Sequence, residues 1–156
     1  MDRRTMLKFA AAGAAAVALP GRAAALPAVR VFKSPTCGCC TGWVEHLREQ
    51  GFTVAVEDVG NLAARARLGI SEKLGSCHTA EVAGYAIEGH VPATDIKRLL
   101  ASRPRARGLA VPGMPIGSPG MESGDRRDAY EVLLVRFDGS RSVFASYPAA
   151  PARKST

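Results

Sequence analysis

A single mixed α/β domain is predicted, on three observations. A short apolar run ends in three cysteines within four residues, Cys37, Cys39 and Cys40. Helix-period and strand-period segments alternate from there to about residue 100. A Pro/Gly-rich tract then gives way to two strand-like runs joined by Asp138-Gly139.

Residues 29–32 alternate toward a strand that runs through Pro35 into the cysteine turn. Cys40, Trp43, Val44 and Leu47 lie at offsets 0, 3, 4 and 7, one face of a helix that continues to Gln50 and ends at Gly51. Cys40 on that face points inward, and Cys37 stands at the mouth. Residues 52–56 read as a second strand, and 61–68 as a short helix closed by Gly69. Residues 77–83 and 85–91 read as two strands turning at Gly84, and Pro92 opens a helix through Leu100. Residues 104–128 carry four prolines and five glycines, too many breakers for regular structure, so a long loop is expected. The runs 130–137 and 141–147 form a hairpin across Asp138-Gly139, and the tail from Ala149 is expected to fray. The order strand, helix, strand, helix, hairpin, helix, with Cys-x-x-Cys at the first strand-to-helix turn, predicts a thioredoxin-like domain with an added C-terminal β-hairpin and a long Pro/Gly loop. Such folds carry a cis-proline before the third strand, facing the thiols. Here Ser76-Cys77-His78 stands in that place, which brings Cys77 toward Cys37 and Cys40.

The N-terminus is a basic start, an apolar centre of Ala, Val and Leu, and a small-residue end at Ala23-Ala24-Ala25. That is an export signal, too short for a membrane span, with cleavage expected after Ala25. Paired Arg3-Arg4 before Met6-Leu7 follow the twin-arginine pattern, with Met where Phe is usual. The expected domains are a cleaved signal at 1–25, a metal-binding domain at 26–148 and a disordered tail at 149–156, the mature protein residing in the periplasm with no membrane span. Removing residues 1–25 lowers the formal charge from +7 to +4. With nine scattered aromatic residues and no aromatic-plus-basic cluster, nothing points to a nucleic-acid surface.

Four cysteines in an oxidising compartment pair or hold metal, and three of these lie too close together for a disulfide framework. Cys37 and Cys40 have the spacing of a redox disulfide. Soft sulfur donors select Cu(I), zinc or iron–sulfur clusters, and Cu(I) accepts the two or three thiolates that Cys37, Cys40 and Cys77 supply. Zinc is the second metal considered, with His78 completing a site, although adjacent Cys39 and Cys40 do not easily face one ion. Met114 and Met121 offer weak thioether caps on the loop. The expected metal residues are therefore Cys37, Cys39, Cys40, Cys77, His78, Met114 and Met121, and another copper protein is the expected donor or acceptor. His90 borders the site, and as a lone histidine it reads as a surface or supporting residue. His46 lies roughly 9 Å along the helix from Cys40 and is expected to face solvent. Glu57 and Asp58 have no partner carboxylate, so no general acid/base pair exists. The alternative function is a thiol-disulfide oxidoreductase with Cys37 as nucleophile and Cys40 as resolving thiol. It is disfavoured by the missing cis-proline and by the extra thiols, which would trap mixed disulfides.

Residues 34–43, Ser76-Cys77-His78-Thr79-Ala80, Glu88-Gly89-His90-Val91-Pro92-Ala93 and the tract 108–122 together resemble the bacterial exported, metal-binding family known as domain of unknown function number 411. The resemblance covers nearly all of the mature chain. It implies a thioredoxin-like fold and a link to copper handling.

Overall fold

The computed structural model of the chain describes residues 24–150. The elements are β1 (Val29–Lys33), α1 (Gly38–Glu49), β2 (Val54–Glu57), α2 (Leu62–Arg67), a 3-10 turn (Glu72–Leu74), β3 (His78–Val82), β4 (Tyr85–Glu88), α3 (Ala93–Ser102), β5 (Gly108–Ala110), β6 (Tyr130–Val135) and β7 (Arg141–Tyr147). All seven strands form one mixed sheet in the order β2-β1-β3-β4-β5-β6-β7. β1 pairs in parallel with β2, and β4 with β5; every other neighbouring pair is antiparallel.

Alternation along the strands decides which layer each side chain joins. On β4 and β5, Ile87 and Leu109 enter the main core with Trp43, Val44 and Leu47 of α1 and with Ile96 and Leu99 of α3. Their neighbours Ala86 and Ala110 join Ile70, Leu74 and Val135 in a second, smaller cluster. Burying a Leu or Ile side chain as fully as Leu47, Ile87, Ile96 and Leu99 contributes about 1.5–3 kcal/mol each, so the main core dominates the sheet's stability. The helical face read from the spacing of Cys40, Trp43, Val44 and Leu47 is the buried face of α1, and Gly51, at φ +91°, follows the helix's last turn.

The Pro/Gly tract departs from expectation. It contains β5, three fully buried residues running parallel to β4 and antiparallel to β6. Three residues are too short for any period to show, and their pairing is made entirely with distant segments. Through β5 the strands β6 and β7 extend the same sheet. At the C-terminal end, Ala150 exchanges both backbone hydrogen bonds with Arg127, so the chain is still paired one residue beyond Ala149. Residues 1–23 and 151–156, and with them the expected signal and most of the expected tail, lie outside the described residues.

His46 also departs from expectation. It is half-buried, and its Nε2 accepts the N–H of Ala93 at 3.1 Å. That N–H belongs to the first turn of α3, where no intrahelical acceptor exists. Burial lowers the His46 pKa, which keeps the ring neutral and able to accept. A histidine with a depressed folded pKa contributes stability above its unfolded value near 6.5 and loses it as the pH falls through the folded value. His46→Leu should therefore cost about 1 kcal/mol at pH 8, with the gap to wild type narrowing below pH 6.5. Melting curves at pH 8 and pH 5 check this, and a gap independent of pH would refute the capping role.

Candidate metal centre

The sheet topology explains why distant residues meet. β1 and β2 end, β3 begins, and β4 and β5 end at the same edge of the sheet, as the registers Phe32↔Glu57, Lys33↔His78, Thr79↔Glu88 and Glu88↔Ala110 require. The cysteine turn after β1, Cys77 before β3, His90 after β4 and the Pro/Gly loop after β5 therefore share one end.

Pro35 and Thr36 turn the chain from β1 into α1, and Cys37 is the extended N-cap of that helix. The first N–H groups of α1 lack helical acceptors, and no acidic side chain lies in that turn. The helix end therefore offers uncompensated positive potential to the sulfurs of the cysteine turn. Cys40 is fully buried, while Cys37 and Cys39 are partly exposed.

Cys37, Cys39, Cys40 and Cys77 place their sulfurs within 4.8 Å of one another. Cys37 and Cys40 are joined by a disulfide with Cα atoms 5.4 Å apart, and Cys39 and Cys77 are free thiols. Cys39 Sγ lies 3.5 Å from Cys37 Sγ and 3.7 Å from Cys77 Sγ. Adjacency in sequence thus does not keep Cys39 and Cys40 apart from one centre. They stand about 100° apart around the helix, and Cys77 arrives at the helix end, where both can reach it.

A second group overlaps the first at Cys77. Its sulfur lies 3.1 Å from His90 Nε2 and 3.4 Å from His78 Nδ1. His90 Nδ1 faces the carbonyl oxygen of Pro119 at 2.8 Å, so Nδ1 carries the proton and Nε2 presents its lone pair to Cys77. His78 is fully buried, its ring 4.3 Å from that of Trp43 and 4.9 Å from that of His90, centroid to centroid. Its Nε2 has no hydrogen-bond partner among the described residues. Burial, and then His90, hold the His78 pKa down to about 3; burial also lowers that of His90. Both rings are neutral at pH 7, the form in which imidazole binds metal. Burial, followed by the proximity of Cys39, pushes the Cys77 thiol up to about 12.

The loop closes one side of this centre. A Cβ added at Gly120 would stand 2.6 Å from both Cys39 O and Trp43 N, so the loop backbone rests directly on the first turns of α1. Trp43 belongs to the core, and its indole N–H donates to Val91 O at 2.8 Å.

Met114 is half-exposed and lines a surface groove with Pro112, Pro115, Asp128, Tyr130 and Glu131. Met121 lies in the turn where its backbone bonds Gly117 and Ser118. Glu57 pairs with Arg30, and Asp58 with Lys33. The residue that sequence reasoning undervalued is His90. Its place beside Cys77 depends on the β3–β4 register, although the Glu88-Gly89-His90 motif marked it. A cavity of about 810 Å³, lined by Leu26, Tyr85, Leu100, Arg103 and Phe137, lies at the opposite, β3–β4 turn end of the sheet.

Residues 1–20 match the twin-arginine translocation pathway signal sequence, which indicates export across the cytoplasmic membrane. Among the described residues no helix is long and apolar enough to cross a membrane. Residues 74–121 match the family described as protein of unknown function, DUF411. No curated protein matches the chain significantly. Two solved structures of the copper resistance protein copG, Form 1 and Form 2, are similar to it with a TM-score of 0.74 each. They are 47% and 48% identical, covering 79% of this chain and 98% and 99% of their own. At that identity over nearly the full length of those relatives, the chain belongs to the exported, copper-associated DUF411 family.

Proposed function

We propose that this protein holds Cu(I) in the periplasm through Cys37, Cys39, Cys40 and Cys77, for copper resistance or for delivery to another copper protein. The convergence of four sulfurs within 4.8 Å carries the reading, because clustered thiolates select soft metal ions and Cu(I) takes two or three of them. The copper resistance proteins to which the chain is similar support copper over zinc. The neutral rings of His90 and His78 stand beside Cys77 as further donors, and the thioethers of Met114 and Met121 are weak caps on the loop. Strand order β2-β1-β3-β4 with α1 and α3 against the sheet supports a thioredoxin-like core. Cleavage after Ala25 leaves Leu26 as the first residue of the exported protein, which N-terminal sequencing of that protein checks.

Opening the Cys37–Cys40 disulfide takes two electrons and gives two thiolates, so the reduced chain has four sulfur donors and the oxidised chain two. In competition with a chromophoric Cu(I) chelator, the reduced protein is expected to retain copper far more tightly than the oxidised protein. Met114→Leu with Met121→Leu is expected to release it several-fold faster than wild type. Equal retention in both redox states, or retention of zinc in preference to Cu(I), would refute the reading.

The same disulfide favours one second reading, a thiol-disulfide oxidoreductase with Cys37 as nucleophile. That enzyme would reduce insulin with a small thiol as electron source, and Cys37→Ser would abolish turnover. Robust turnover that is indifferent to Cys77 would replace the copper reading.

A further inference from the structure

The residue before Cys77 is gripped through both of its peptide groups by buried charge. Ser76 N–H donates to Glu88 Oε1 at 2.7 Å. Its carbonyl oxygen accepts from Arg65 Nη2 at 2.5 Å and from Asn61 Nδ2 at 3.2 Å. Arg65 Nε donates to the same Glu88 oxygen at 2.9 Å, and Thr79 Oγ1 donates to the other at 2.5 Å. Glu88 is fully buried, and Arg65 is 8% exposed.

A turn at the edge of a sheet does not need this. Water or one neutral side chain satisfies such peptide groups elsewhere, and a buried ion pair is often no more stabilising than apolar residues of the same volume. What the pair supplies is geometry. A guanidinium fork and a two-oxygen carboxylate fix the Ser76 peptide in position and tilt. Its other contacts share the restraint: Ser76 Oγ donates to Gly113 O at 2.5 Å, and Gly113 N–H donates to Gly75 O at 3.1 Å. The loop that bears Pro119, the acceptor for His90, is thus fastened to the same peptide.

Resting on the copper reading, we propose that Arg65 and Glu88 are positioning residues for the metal centre: through Ser76 they set where the Cys77 sulfur stands relative to the sulfurs of Cys37, Cys39 and Cys40. Neither touches the ion.

The test is a double-mutant cycle on Cu(I) affinity of the reduced chain, measured by chelator competition. Arg65→Met with Glu88→Gln removes both charges together, so no lone charge is left buried, and Gln keeps an oxygen for Ser76 N–H. The expected result is a loss of about tenfold or more, in the range for residues that orient metal ligands, with no further loss when the same pair is introduced into Cys77→Ser. No loss, or an equal loss in both backgrounds, would overturn the positioning role. If Cys77→Ser itself binds as tightly as wild type, the copper reading of Cys77 fails and this inference with it. Should the double variant not fold, Arg65→Lys keeps the charge but not the fork. The ratio of Cys77 to Cys39 alkylation rates in the reduced, metal-free chain should then shift several-fold, and an unchanged ratio would overturn the proposal.

Discussion

Cys77→Ser is expected to weaken Cu(I) binding by at least about 100-fold, since changes one shell further out already cost 10- to 100-fold. Three of the four sulfurs come from one turn of one helix, whereas Cys77 is the only donor of the four delivered by the sheet. A serine hydroxyl matches the thiol in shape but is a hard ligand, poorly suited to a soft ion. Cys77 is only partly buried and its sulfur is in no disulfide, so the metal-free variant should melt close to wild type. Copper competition and melting curves on the same preparations separate the two effects. Wild-type affinity would confine the centre to α1, and a collapsed melting curve would make Cys77 structural.

Gly120→Ala is expected to cost about 2–5 kcal/mol, combining roughly 1–2 kcal/mol for a left-handed non-glycine residue with 1–3 kcal/mol for overpacking. At φ +84° the position suits glycine, and the added Cβ would overlap backbone atoms of α1, which cannot swing aside as a side chain would. For a domain of this size the loss is a fall of about 10 °C in the melting midpoint. Gly113→Ala is the control: φ is +70° there, but nothing lies within 4 Å of the added carbon. It should therefore show the strain without the overlap. Equal midpoints for the two variants would mean that the loop is not seated on α1.

The local pattern was legible wherever one segment decided its own state. The face of α1 followed from Cys40, Trp43, Val44 and Leu47, and the strands from their apolar runs. Pairing between distant segments was not. β5 has three residues and owes its existence to β4 and β6 on either side. His90 reaches Cys77 across thirteen residues of hairpin, a distance set by register and not by composition. His46 looked solvent-facing because helix periodicity describes a helix alone, without the neighbouring α3 whose N–H it accepts. Cys39 and Cys40 looked mutually exclusive for a similar reason: two adjacent side chains diverge along the helix but converge on a group approaching its end.

Cys39 and Cys77 are 38 positions apart in the chain, yet 3.7 Å apart sulfur to sulfur. Holding those ends together in an unfolded chain carries a loop-closure cost that the native sheet has already met. Copper should accordingly discriminate between folded and unfolded forms, favouring the folded one by RT ln(1 + [Cu]/Kd) when the ion binds that form alone. On the proposed copper reading, the thermal midpoint of the reduced protein is expected to rise with free Cu(I), by less than that limit to the extent that the three neighbouring thiols of the cysteine turn bind the ion in the unfolded chain.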